Sequence, residues 1–187
     1  METLNLWSVP LLRFNVADQF NMSEYADEVL SLFAMTDGED DRQLVIKNKE
    51  LFPIILEMRD KVITPKVMEY AKEHFNFNIS EFYVDTNGKW IPEGEGLFPH
   101  YHPGSVISAI CYPSDSTNSM VMFDPKGNAC RGYPKRMRNS PHFANFKVNP
   151  KAGDVLIFPS YVQHSVPNVD EATRLSLLHE YYVVTDL

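Results

Sequence analysis

The sequence predicts a mainly β fold, a sandwich or barrel carrying helices on its outside, and three observations lead there. From Ile79 onward the chain is a succession of short β-rich runs separated by Gly, Pro, Asn and Asp clusters, the texture of an antiparallel sandwich or barrel. Helical periodicity is confined to the first third, so those helices cover a sheet from outside instead of alternating with its strands. A helical part this short has little core of its own, which makes 1–187 a single domain, with 1–78 as an N-terminal strand plus supporting helices and 79–187 as the β core.

The elements follow in order. The apolar segment Leu4 to Val16, punctuated by Pro10, reads as one extended strand. Ala17, Phe20, Tyr25, Ala26, Val29, Leu30 and Phe33 then recur at three- and four-residue steps, and the acidic turn Asp37 to Asp41 stops the pattern. A second amphipathic helix spans about Glu50 to Phe75, striped by Leu51, Ile54, Ile55, Met58, Val62, Val67, Met68, Ala71 and Phe75. Pro65 lies inside it and should kink or interrupt it, because proline has no N–H for the helix ladder. The β runs are Glu81 to Asp85, Leu97 to Tyr101, Val106 to Tyr112, Ser119 to Phe123, Phe146 to Val148, Asp154 to Phe158, His164 to Val166 and Arg174 to Val184.

Composition excludes several classes of function. With 44% hydrophobic and 22% charged residues the chain can build a real core and is not disordered. Seventeen Lys and Arg against 25 Asp and Glu give a net charge of −8, which opposes nucleic-acid binding by bulk charge. Two cysteines, Cys111 and Cys130, exclude a disulfide-stapled scaffold and a zinc ribbon, and both read as reduced thiols. No run approaches the roughly 20 apolar residues of a membrane span, and Glu2 stands where a secretory signal carries Lys or Arg. The expectation is a cytoplasmic protein (host cytoplasm if phage-encoded) with no membrane partner.

The chemistry-bearing residues begin with His100-Tyr101-His102. Residues two apart on an extended chain project from one face, so both imidazoles can enter one cavity. Alone, the pair is a weak signal and reads first as two surface histidines beside the Pro103-Gly104 turn. Downstream, Pro150 to Pro159 is a turn feeding an apolar strand, His164 opens the next strand, and Arg174-Leu175-Ser176 follows ten residues later. Arg174 and Ser176 share a face, and a guanidinium with a neighbouring hydroxyl is a clamp for a buried carboxylate. A solvent-facing arginine on an ordinary strand is the plain alternative.

Taken together, these residues resemble the iron(II)- and 2-oxoglutarate-dependent oxygenases. Members of that superfamily carry a His-x-Asp/Glu pair and a distant His on a double-stranded β-helix, with Arg-x-Ser about ten residues beyond the distal His. More narrowly, His100-x-His102-Pro103-Gly104-Ser105 running into Ile107 to Tyr112 resembles a small bacterial and phage branch with two histidines in that motif. The likeness covers roughly Phe82 to Tyr182, and only loosely the helical first third. It implies a jelly-roll, cupin-like barrel binding Fe(II) through His100, His102 and His164. It also implies 2-oxoglutarate held by Arg174 and Ser176, with Tyr112 hydrogen-bonding the cosubstrate or simply serving as a core tyrosine. The implied activity is a dioxygenase, a hydroxylase that consumes molecular oxygen and converts 2-oxoglutarate to succinate and carbon dioxide.

His102 departs from the usual carboxylate, so the protein ligands become neutral. Either His102 is a true third ligand, or a carboxylate from elsewhere completes the site, Asp124 being the best candidate. Two other functions stay open: a three-His cupin-type dioxygenase that does not use 2-oxoglutarate, and a non-catalytic barrel serving as a binding or structural module. The substrate, whether a small metabolite, an amino acid or a peptide side chain, is not legible. Lys126, Arg131, Lys135, Arg136, Arg138, Lys147 and Lys151 fall in one stretch from Pro125 to Lys151 without an acidic residue. That stretch could overhang a barrel mouth and attract an anionic partner, or merely balance an acidic body. His74, His142 and His179 show no partner pattern and read as structural or surface residues.

Overall fold

A computed structural model describes residues 9–36, 48–75, 82–125, 145–170 and 173–183. The layering is set by strands buried on both faces. Strand β7 (Asp154–Pro159) is buried along its whole length because alternate residues enter two different cores. Val155 and Ile157 join an outer core shared with the helices, whereas Leu156 and Phe158 join an inner core between two sheets. β4 (Ile107–Cys111) divides the same way: Ile107, Ala109 and Cys111 point to the helices and Ile110 points inward.

One sheet has the order β1-β7-β4-β9-β2, the other β3-β8-β5-β6, and every pairing is antiparallel. The remaining strands are β1 (Leu12–Asn15), β2 (Phe82–Pro92), β3 (Leu97–His100), β5 (Met120–Met122), β6 (Phe146–Val148), β8 (His164–Val166) and β9 (Thr173–Val183). This is the expected jelly roll, mainly β, with its helices packed outside the larger sheet. The expected strand at Leu4 to Val16 is represented by β1. Its first residues, like Glu81, lie outside those described.

Helix α1 (Met22–Thr36) starts later than the periodicity suggested. Asn21 caps it, its side-chain carbonyl accepting the N–H groups of Ser23 at 3.1 Å and Glu24 at 3.4 Å. Residues 17–20 form a turn instead, tied by the Ala17 N–H to the Asn15 side chain. The second helix is continuous but not uniform: α2 (Pro53–Met58), a single π-helical turn (Arg59–Ile63), then α3 (Thr64–Phe75). Pro65 cannot bond the Lys61 carbonyl, and the widened turn just ahead of it absorbs the mismatch without breaking the helix.

Two long-range devices hold the helices, one joining them to each other and one seating α1 on the sheet. Buried Glu28 on α1 accepts the N–H groups of Ile54 at 3.0 Å and Ile55 at 2.9 Å, capping an α2 that has no side-chain cap of its own. Burial raises the Glu28 carboxyl above its ordinary range against the opposing pull of those two donors. Gly88 on β2 lets α1 rest directly on the sheet, since a Cβ there would lie 2.7 Å from the Val29 carbonyl oxygen. Cys111 is a buried free thiol pushed up to about 12 by burial, and Cys130 lies outside the described residues.

Candidate metal centre

The smaller sheet brings the distant histidines together. β3 pairs with β8 so that His100, the last residue of β3, sits directly opposite His164, the first residue of β8. β8 also pairs with β5, placing His164 in the sheet interior, where it is 2% exposed. His102 lies beyond the strand end, in the connection to β4, held by its N–H bond to the Ser160 carbonyl at 3.0 Å. Gly104, at φ 90°, follows it and turns the chain toward β4. The chain from His102 to Tyr112 is therefore not one unbroken strand, yet Tyr112 still points into the inner core.

The three rings converge. Their potential ligand atoms all lie within 4.8 Å of one another, the sole such cluster among the described residues. Asp124 is not part of it. Ring centroids are 4.4 Å apart for His100 and His164, 5.1 Å for His102 and His164, and 5.4 Å for His100 and His102.

Two of the rings have Nδ1 hydrogen-bonded to a backbone carbonyl, and the third has a carboxylate beside it. His100 Nδ1 donates to the Phe98 carbonyl at 2.7 Å and His164 Nδ1 to the Val162 carbonyl at 3.0 Å. His102 Nδ1 lies 3.2 Å from a Glu180 carboxylate oxygen. With Nδ1 protonated, a neutral imidazole presents its lone pair at Nε2. Burial, together with the other two imidazoles, lowers His164 to about 4 despite the opposing Val162 bond, so its ring is neutral. His102 Nε2 and His164 Nε2 stand 3.3 Å apart, a hydrogen bond whose donor depends on the tautomer and a spacing at which both nitrogens can reach one ion. Nitrogen ligands at about 2.1 Å from one ion and roughly at right angles stand about 3 Å apart. The donor set fits a divalent metal of the imidazole-binding class.

A second polar group is buried on the inner wall. Arg174 is 2% exposed; its Nη1 donates to Ser116 Oγ at 2.8 Å and to the Asn118 carbonyl, while its Nη2 has no partner among the described residues. The guanidinium carbon stands 5.7 Å from the Tyr112 ring centroid. Tyr112 donates to Met120 Sδ at 3.5 Å, and burial pushes its hydroxyl up to about 12 although the Arg174 charge pulls the other way. Ser176 is half-buried, two residues along β9 from Arg174 on the same face. A buried guanidinium with an idle donor calls for an anion.

Residues 89–179 match the family described as "Putative 2OG-Fe(II) oxygenase". The matched span contains all three histidines, Arg174 and Ser176. Over that span, just under half of the chain, the sequence is similar to the 2OG-Fe(II) oxygenases. No curated protein matches it in sequence. In structure, the chain is similar to a Trichoplax adhaerens prolyl hydroxylase in complex with a peptide fragment of the hypoxia inducible factor oxygen degradation domain. That likeness has 13% identity, 92% of this chain, 83% of the other and a TM-score of 0.62. It is also similar to Streptomyces hygroscopicus HygX with nickel and 2-oxoglutarate bound, at 16% identity over 94% of this chain and 83% of that one, TM-score 0.61. A third, the non-heme alpha ketoglutarate dependent epimerase SnoN from nogalamycin biosynthesis, gives 18%, 94%, 78% and 0.60. At these identities the likeness is one of fold.

Two polar contacts of the site were not singled out from the sequence, Glu180 and Ser116. Glu180 carried a signal, since it lies six residues after Arg174 and four after Ser176, an even spacing that keeps all three on one strand face. Ser116 sits in a connection, where no periodicity points to it. Of the basic stretch, Lys126, Arg131, Lys135, Arg136, Arg138 and also His142 lie outside the described residues. Lys151 pairs with Asp115 at 3.1 Å, both side chains largely exposed. Among the described residues no helix is long and apolar enough to cross a membrane.

Proposed function

We propose that this oxygenase is a hydroxylase in which His100, His102 and His164 hold iron(II) through Nε2, while Arg174, Ser176 and Tyr112 hold 2-oxoglutarate. The observation that carries the reading is the convergence of three imidazoles, one ring nitrogen of each within 4.8 Å of the others, in a barrel that also buries an arginine with an unused donor. Iron and 2-oxoglutarate, when bound, supply oxygen activation coupled to decarboxylation of the cosubstrate to succinate and carbon dioxide. The chain's own residues do the positioning. Backbone carbonyls of Phe98 and Val162 fix two imidazoles, so the metal geometry is set before the ion arrives. Arg174 Nη2 is the donor available to the far carboxylate, with the Ser176 hydroxyl beside it on the strand. Ile110, Leu156, Phe158 and Leu178 form an apolar wall that keeps water from the reacting centre. No acid or base side chain is needed to cleave a C–H bond this way.

The substrate is a C–H-bearing small metabolite, amino acid or peptide side chain. The test is turnover: purified protein with iron(II), 2-oxoglutarate and oxygen should release succinate, and His164→Ala should abolish the release. The neutral three-imidazole site favours one other reading, in which substrate binds iron directly and 2-oxoglutarate has no part. Iron binding without any succinate would select it.

A further inference from the structure

We propose that Glu180 is a positioning residue for the metal centre, an anion close behind His102 that takes over the charge a ligand carboxylate would bring. This rests on the reading of His102 as an iron ligand. His102 is the ring of the three whose Nδ1 partner is a side chain, and that side chain is a carboxylate at 3.2 Å. The other two lean on neutral carbonyls. Both members of the pair are shielded, with 12% of the His102 side chain and 19% of the Glu180 side chain exposed. Screening by water is therefore weak, and the carboxylate makes Nε2 a stronger donor to an ion than a carbonyl can.

The placement of Glu180 on the barrel's inner face also runs against packing logic. It stands opposite Asp85 on β2 and Ser108 on β4, so two carboxylate residues face each other across the β2–β9 ladder. Like charges directly opposite destabilise a sheet. Neighbours of Glu180 on that face of β9 are Leu178 and Tyr182; burial, then the Glu180 and Asp85 charges, raise the Tyr182 hydroxyl, which also hydrogen-bonds Glu180. A glutamate kept in a disfavoured place and aimed at one metal-site ring is explained by what it does to that ring. Glu180 itself stays outside the cluster of ligand atoms, which separates its role from that of a fourth ligand.

The test is anaerobic calorimetric titration of iron(II) into five proteins: wild type, Glu180→Gln, Glu180→Asp, His102→Asp and the Glu180→Gln/His102→Asp double variant. Cobalt(II) visible spectra serve as a second readout of ligand geometry. Glu180→Gln keeps size and can still accept a hydrogen bond, so a tenfold to hundredfold loss of metal affinity is expected. Glu180→Asp should recover part of it. In the His102→Asp background the sign reverses, because Glu180 now faces a carboxylate; removing it should tighten binding. A loss below tenfold in the first comparison, or an equal loss in both backgrounds, overturns the proposal. Wild-type protein that binds neither metal overturns the iron reading itself and is thereby distinguishable.

Discussion

Replacing Arg174 by Met separates a residue that holds the fold from one that waits for an anion. The side chain is 2% exposed, and its Nη2 lacks any partner among the described residues. A charge buried and half-paired costs stability, whereas an apolar residue of similar length placed there is commonly neutral or stabilising. Ser116 and Asn118 stay bonded to each other after the change, because Ser116 Oγ already contacts the Asn118 carbonyl at 3.1 Å and the Asn118 N–H at 3.2 Å. Arg174→Met should therefore leave the thermal midpoint of the ligand-free protein unchanged or raised. Binding of 2-oxoglutarate should collapse. Removing one partner of a buried, hydrogen-bonded charge pair costs about 2–5 kcal/mol, and at ~3 kcal/mol the dissociation constant rises roughly 150-fold. Scanning calorimetry of the ligand-free protein and titration of 2-oxoglutarate into the iron(II) form give the two numbers. The reasoning is refuted if the variant binds 2-oxoglutarate within threefold of wild type, or if its ligand-free midpoint drops by several degrees.

Other consequences are more local. Gly153 has φ 80° and a Cβ there would lie 2.6 Å from the Ala17 backbone nitrogen, so Gly153→Ala should lower unfolding stability by about 2 kcal/mol or more, read by urea denaturation; an unchanged midpoint would mean that Ala17 yields freely. His179 is fully buried on the outer face of β9, its Nδ1 3.0 Å from Thr86 Oγ1, and burial lowers it to about 3. Its depressed value means stability is complete above the unfolded value of about 6.5 and is lost as pH falls from there toward 3, at about 1.4 kcal/mol per pH unit. His179→Asn keeps a partner for Thr86 and removes that titration. Its stability curve should be flatter than wild type by that slope between about pH 6 and 4, and parallel curves would contradict the assignment.

Much of this architecture was legible because its causes are local in the chain. Each β run expected from alternating or continuous apolar residues appears as a strand, and the end of the Asp154–Pro159 run sets the approach to His164. β2 was read too short: its polar continuation Thr86, Asn87 and Lys89 looks like a loop, but it pairs with β9 as far as Pro92. A strand lining the open side of a barrel carries polar residues on its inner face, so hydrophobic alternation ends before the strand does. The start of α1 was misplaced because Ala17 and Phe20 are apolar at helical spacing, while the cap that decides the boundary is Asn21. At the site, His100, His102, His164 and Arg174 were visible as residue types in order. What the order could not convey is which nitrogen each ring presents. That depends on Phe98, Val162 and Glu180, acceptors defined by tertiary contact. His102 shows the limit most clearly, since its same-face argument assumed a strand and the residue lies in the connection after one.

The central claim is a three-imidazole iron site that takes 2-oxoglutarate beside Arg174. Anaerobic addition of iron(II) and then 2-oxoglutarate, followed by visible absorption, tests it most directly. A charge-transfer band of the iron–keto acid chelate should rise to one equivalent in wild type, vanish in His164→Ala and weaken in Arg174→Met. A wild-type protein that binds iron yet gives no band with saturating 2-oxoglutarate would contradict it.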